Sequence, residues 1–428
     1  MKTTLVSFLL LLSLTISSCS EKVNNKLVDK QLQAFLDKKD FFKLRDKLKE
    51  SKSKLADHRF LYYQAFVDKA LGENQLSNES INVLLQNFSE KFQDSIMADL
   101  ISLKGANYVD LFEYKNAANT FKDLVRDYAK VLDSTEIEDF KNATQLYAAL
   151  QEVDKQMIQR HNEVKIKSFF NKFNHLMVPT KIHDISSDFI FDTDANLSTI
   201  SESQAKLMNL TFLENVIKVG TVTQVKINSK IAVADQMDLG GIIFKNVPFL
   251  VMPDEDLSFP EVNYKINGII GFPLIKQLKE VHLGKDGTIT IPGTTRKSNL
   301  NNLFLDGLTP VVQAYSGTES LILTLDTGAQ TTDLSYKYFK KHEATIKSSG
   351  KIAIGKSGGA GGVTVKGVYQ LPDFEIKVGT KKAILPTVSI MREQYDFLDH
   401  FDGNLGQDFF MQFNALIINF EDMYVDFK

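Results

Sequence analysis

The feature that most constrains this chain is a pair of acid-bearing tripeptides placed at matching points in two halves of its C-terminal part. Asp326-Thr327-Gly328 follows the apolar run Leu321-Ile322-Leu323-Thr324-Leu325, and Asp192-Thr193-Asp194 follows Phe189-Ile190-Phe191. A carboxylate at the end of a buried strand is costly unless pairing or function compensates it, and here the arrangement occurs twice.

A true duplication repeats more than one landmark in the same order. The second landmark is an apolar segment bounded by glycines: Gly268-Ile269-Ile270-Gly271 in the first half and Gly403-Asn404-Leu405-Gly406 in the second. Asp192 precedes Gly271 by 79 positions, and Asp326 precedes Gly406 by 80. Between the landmarks lie short apolar or alternating segments, such as Val247 to Met252 and Leu385 to Met391. Turn signals at Leu239-Gly240-Gly241, Lys285-Asp286-Gly287 and Gly379-Thr380-Lys381 punctuate them, so the pattern reads as two β-rich lobes.

Two lobes, each with one Asp-Thr turn and one apolar-Gly segment, resemble the aspartic peptidases of the pepsin and retropepsin type. The resemblance covers roughly residues 179 to 428. It implies that the two turns meet at the lobe interface with Asp192 and Asp326 as the catalytic dyad. Gly268 to Gly271 would back Asp192, and Gly403 to Gly406 would back Asp326. Thr193 and Thr327 would hydrogen-bond across the lobes, and Gly328 would let the backbone approach a carboxylate closely. Carboxylates held about 3 Å apart share one proton; the ionised partner draws a proton from water while the other hydrogen-bonds the scissile carbonyl. Position 194 departs from the pattern, since Asp replaces the expected Gly. Its side chain either points outward with the N–H still donating, or points inward as a third acid beside the dyad. Asn196 and Gln330 stand where Ser or Thr is common in the family and could still donate to a carboxylate. A covering flap is expected around Thr221 to Asp238. The glycine-rich stretch Gly355 to Gly362 would form the corresponding hairpin tip of the second lobe.

The N-terminus carries Met1-Lys2 and the apolar run Leu5 to Ile16, ending at Ser17-Ser18-Cys19. This is a secretory signal, too short to span a membrane with its flanks. Small residues before the only cysteine of the chain resemble a bacterial lipobox, implying cleavage before Cys19, lipidation of that residue, and a location at the outer membrane or facing the periplasm. From about 25 to 175 the chain has few glycines and no proline before Pro179. Its apolar residues recur at helical spacing, as in Leu32, Phe35 and Leu36. Leu100 to Phe121 resembles one tetratricopeptide-type helix pair.

Three other functions are excluded or disfavoured. The 50 basic and 53 acidic residues give no electrostatic reason to bind nucleic acid. Gly350 to Ser357 matches a phosphate-loop spacing, but its middle reads as a strand and no helix follows. No His-Glu-x-x-His pair occurs, so no metal or other cofactor is expected.

The expected architecture is an all-α, tetratricopeptide-like domain followed by a two-lobed all-β module of the pepsin and retropepsin kind. The divisions are 1 to 18 for the signal, 19 to 177 for the helices, 178 to 298 for lobe 1 and 299 to 428 for lobe 2. The expected activity is aspartic-type endopeptidase action on peptide or unfolded protein by a monomer anchored to the membrane through Cys19. The alternative is a catalytically impaired, peptide-binding envelope lipoprotein.

Overall fold

The computed structural model describes residues 24–159, 162–220, 226–394 and 400–428. The expected signal segment, Cys19 and the 221–225 part of the expected flap lie outside the described residues. Seven helices come first: Lys26–Asp37 (α1), Phe41–Ser51 (α2), Asp57–Ala70 (α3), Asn74–Asn87 (α4), Asp94–Asp110 (α5), Tyr114–Tyr128 (α6) and Ser134–Ala149 (α7). Several start on a side-chain cap. Asn25 and Asp40 accept first-turn N–H groups, and Asp133 with Glu136 forms a capping box, each satisfying donors that a helix start leaves unpaired. Gly105 explains the close approach of α5 and α6, because a Cβ there would lie 2.5 Å from the Phe121 ring. Consecutive helices pack on one another. No helix among the described residues is long and apolar enough to cross a membrane.

Strands begin at Met157, earlier than the division expected at 177, which falls inside Leu176–Ile182. Met157–Gln159 pairs with Ile242–Met252 in lobe 1, and Val164–Ile166 joins the sheet between the lobes. Strands of two or three residues are too short to show a period, which is why the helical reading ran past them.

Each lobe is built on the same parallel pairing. In lobe 1, Ile185–Phe191 lies beside Gly268–Ile270, with Phe191 opposite Ile270. In lobe 2, Glu319–Leu325 lies beside Gly403–Leu405, with Leu325 opposite Leu405. The last hairpin of each lobe, Glu280–Gly284 with Ile289–Ile291 and Ala415–Asn419 with Tyr424–Phe427, does not close its lobe separately. The two join edge to edge, Val281 opposite Ile418, in one five-stranded sheet. One apolar core runs through both lobes and includes Phe189, Phe191, Phe272, Leu325 and Phe409. The seam therefore holds the two acid-bearing strand ends at a fixed separation.

Candidate active site

The strand ends deliver Asp192 and Asp326 to the seam in equivalent ways. The Asp192 N–H donates to the Ile270 carbonyl at 3.1 Å and the Asp326 N–H to the Leu405 carbonyl at 3.2 Å. The next residues tie the turns together. Thr193 Oγ1 accepts the Thr327 N–H at 3.0 Å and donates to the Leu325 carbonyl at 2.6 Å; Thr327 Oγ1 accepts the Thr193 N–H at 3.1 Å and donates to the Phe191 carbonyl at 3.1 Å. Both threonines are buried. Thr193→Val would remove one hydroxyl and strand a buried N–H and a buried carbonyl. A loss of about 2–4 kcal/mol in unfolding free energy is expected, measured by urea titration; an unchanged midpoint would show that this network does not hold the lobes.

The two carboxyl groups come close enough that each acts on the other's titration. Gly328 sits against them: a Cβ there would lie 2.8 Å from an Asp192 carboxylate oxygen, so any side chain would displace the acid. Behind the turns, the Gly271 N–H donates to Ser198 Oγ and the Gly406 N–H to Thr332 Oγ1, both at 3.1 Å. A Cβ on either glycine would come within 2.6 Å of backbone. Ser198 and Thr332 each follow their Asp by six positions, and that repeated hydroxyl was a signal available in the sequence.

Asp194 takes the inward course. Its N–H still donates to Asp192 Oδ1 at 2.9 Å. Its carboxyl lines a cavity of about 90 Å³ with Asp326, Asp333, Ser357, Lys366 and Asn404. The acids differ in how many donors reach them. Asp326 accepts from the Gly328 N–H at 2.7 Å, the Ala329 N–H at 2.9 Å and Asn404 Nδ2 at 3.2 Å. Asp192 accepts from the Asp194 and Ala195 N–H groups, and Asp194 gains no such donor. Burial raises all three above the ordinary carboxyl range; the charge of Asp326 adds to the rise at Asp192 and Asp194, whereas at Asp326 the donors and the interaction with Asp192 work against it. Asp192 is pushed up to about 7. Asp194, with burial and both neighbours opposing its charge, is held most firmly in the neutral form. Both causes favour the neutral form of the extra acid over a third negative charge.

Asn196 and Gln330 do not serve the carboxylates. Gln330 donates to the Phe173 carbonyl at 2.6 Å, and Asn196 is exposed; backbone N–H groups fill the role instead. Asn404 and Lys366 had no distinct sequence signal. Asn404 is oriented by Thr324 Oγ1, which donates to its Oδ1 at 2.8 Å. Lys366 is buried, which lowers its pKa, while the charge of Asp333 acts in the opposite direction; Asp333 itself is raised to about 7 by burial and by the charge of Asp408.

Two hairpins flank the cleft unequally. The lobe 1 hairpin, Thr211–Gly220 with Lys226–Leu239, is pinned to the helical domain: Ile217, Ile231 and Val233 pack with Phe121 and Tyr147, and Lys226 pairs with Glu138 at 2.9 Å, while Val219 and Ile227 pack with Ala195, Leu257 and Ala360. The lobe 2 hairpin, Lys351–Gly359 with Gly362–Val378, brings Ser357 and Lys366 over the acids. Its tip reaches lobe 1, where the Gly361 N–H donates to the Asp256 carbonyl at 2.9 Å and Ala360 packs beside Leu257. The phosphate-loop spacing at 350–357 falls on this hairpin and opens no helix. Among the described residues no group of three or more His, Cys, Asp or Glu side chains is arranged to hold a metal ion.

Fold and site together define a helical domain joined to a two-lobed β module of acid-protease type. Sequence comparison agrees with this. A family model described as aspartyl protease matches residues 178–274, a span that contains Asp192, its turn and the Gly268 to Gly271 segment. Comparison with curated proteins gives no match for this chain.

Proposed function

We propose that this chain is an aspartic endopeptidase acting through Asp192 and Asp326. The observation that carries the reading is the pair of mutually interacting carboxyls on turns locked by reciprocal threonine bonds across the lobe seam. Asp326, with three donors, would be the partner ionised first and would take a proton from a water attacking the peptide carbonyl. Asp192 would hold the shared proton and hydrogen-bond the carbonyl oxygen as it gains charge. The proton then passes to the leaving amine, and no covalent intermediate is formed. Because the proton on Asp192 is lost as pH rises through about 7, activity should be highest in mild acid and fall above neutrality. The signal segment and Cys19 support a lipid-anchored envelope protein acting on peptide or unfolded protein.

The protein lacking residues 1 to 19 should cleave an unfolded protein in mild acid and be blocked by a statine-type transition-state analogue. Absence of cleavage under all pH conditions would defeat the proposal. The inward acid favours a second reading, in which the cleft binds extended peptide without cutting it. Asp194→Asn separates the two. If Asp194 is neutral in the working state, the variant should cleave within a few-fold of the parent in mild acid; a gain of tenfold or more would favour the impaired reading. Stability gives an independent check. A carboxyl whose folded pKa is raised binds more protons folded than unfolded, so stability falls as pH rises from about 4 toward that pKa. Asp194→Asn should therefore match the parent near pH 4 and exceed it by about 1.4 kcal/mol for each pH unit above that until Asp194 ionises.

A further inference from the structure

We propose that the cavity between the helical domain and lobe 1 is a binding site for a free, single-chain fatty acid. The cavity holds about 350 Å³, at the lower end of the range for small-molecule pockets. That suits one acyl chain and is too small for a two-chain lipid. Tyr114 and Leu146 form its wall on the helical side, and Ile231, Phe249 and Leu250 its wall on lobe 1. All five are buried. A cavity lined this way stays dry and favours an apolar occupant.

One end of the cavity is charged. Lys69 Nζ lies 3.2 Å and Lys276 Nζ 2.9 Å from the same oxygen of Asp110, so two cations meet one anion. The nearby Asp306 is already paired with Lys39 at 2.7 Å, which leaves the excess positive charge in place. Lys69 is sealed off, its side chain 6% exposed, whereas Lys276 is 21% exposed and lines the cavity. The remaining polar groups are engaged: Gln156 Nε2 donates to Gln277 Oε1 at 2.8 Å, and Lys279 is paired with Glu421 at 2.9 Å. The lining thus joins an apolar wall to a charged cluster in which Asp110, itself part of the lining, meets Lys276 with Lys69 behind it; two ammoniums against one carboxylate leave positive charge in excess, and Lys276 has donors beyond the one it gives Asp110, a complement to an alkyl chain ending in a carboxylate.

The far wall is Leu197-Ser198, the segment whose Ser198 Oγ accepts the Gly271 N–H behind the Asp192 turn. A ligand here would stiffen that turn. The effect on catalysis rests on the proposed activity, but binding does not.

The test is calorimetric titration of the chain lacking residues 1 to 19 with dodecanoate, kept below micelle formation and in the absence of detergent. One saturable site per chain is expected. Leu146→Trp, which fills the cavity, should abolish binding with the circular dichroism spectrum retained. Lys276→Gln should weaken dodecanoate by about tenfold or more and leave dodecanol unaffected, so the charge recognition is readable even where the bulkier variant misfolds. The proposal is overturned by the absence of a saturable site, by binding unchanged in both variants, or by wild-type protein that takes dodecanol as tightly as dodecanoate. Because the readout is binding and not cleavage, failure of the peptidase reading would leave it standing.

Discussion

Replacing Asp326 by Asn should lower kcat/KM for peptide cleavage by at least about a thousandfold without unfolding the protein. Asparagine keeps the volume of the side chain, and its carbonyl oxygen can still accept the Gly328 and Ala329 N–H groups that reach Asp326 at 2.7 and 2.9 Å. What it cannot supply is the ionised oxygen that draws a proton from water, and it presents an NH₂ group where the proposed mechanism needs a proton shared with Asp192. Both halves of the dyad are therefore disabled by one atom's change. Asp333→Asn is the matched control. Asp333 lines the same cavity and is raised by the same kind of burial, but the network of threonine and glycine bonds does not include it, so a loss of less than about tenfold is expected. Equal losses in the two variants, or retained cleavage in Asp326→Asn with an unchanged pH profile, would remove the dyad assignment. Binding of an extended peptide should persist in Asp326→Asn, which separates lost chemistry from a lost cleft.

The legibility of this site followed its locality. The Asp-Thr turns and the apolar-Gly segments are written in a few adjacent residues, because a tight turn and a backbone crossing close behind it each demand specific residue types. The position of Asp194 was legible as an anomaly, but its direction was not. That depends on the pocket made by Asp333, Asn404 and the lobe 2 hairpin, which only the fold assembles. Lys366 illustrates the same limit: a single lysine in an alternating strand reads as solvated, and it is buried here because the hairpin folds over the cleft. The joined sheet between the lobes was hidden because alternation reports which residues face inward and says nothing of which strand lies alongside. Gln330 went to the Phe173 carbonyl because backbone N–H groups had already taken the carboxylate positions it was expected to fill.

The unequal hairpins give the helical domain a mechanical place in this arrangement. By packing on the lobe 1 hairpin through Phe121 and Tyr147, it holds one wall of the cleft, while the lobe 2 tip is held to lobe 1 only through its contacts with Asp256 and Leu257, so under the proposed function the lobe 2 tip is the side expected to yield to a substrate. The junction that holds the helices to lobe 1 then matters for the geometry of the acids.

At that junction, Asp110→Asn should destabilise the protein by about 3–5 kcal/mol, the cost of breaking a buried ion pair from one side. Asp110 closes α5 and is 2% exposed; it receives Lys69 from the end of α3 and Lys276 from the short helix Phe272–Gln277 that follows Gly271. Lys69 also donates to Asn74 Oδ1 and the Ala106 carbonyl, both at 3.2 Å, so after the substitution it would keep neutral acceptors and lose the carboxylate it is paired with. Opposite shifts mark the two partners. Burial lowers the Lys69 pKa despite Asp110, whereas the two lysines hold Asp110 below its ordinary value despite burial. The carboxylate is thus the member that gains from the arrangement and the ammonium the member that bears its cost. A folded pKa below the unfolded one gives stability that is present above about pH 4 and is lost as pH falls through the folded value, so the wild-type junction should loosen in strong acid while the variant shows no such dependence. Urea titration followed by circular dichroism measures the loss. Limited proteolysis in the exposed linker at 151–155 reports the junction separately, with faster cutting expected in Asp110→Asn before any global unfolding. Unchanged unfolding and unchanged cutting together would mean that apolar packing alone seats the helices on lobe 1, and that the three charges contribute nothing to holding the cleft wall in place.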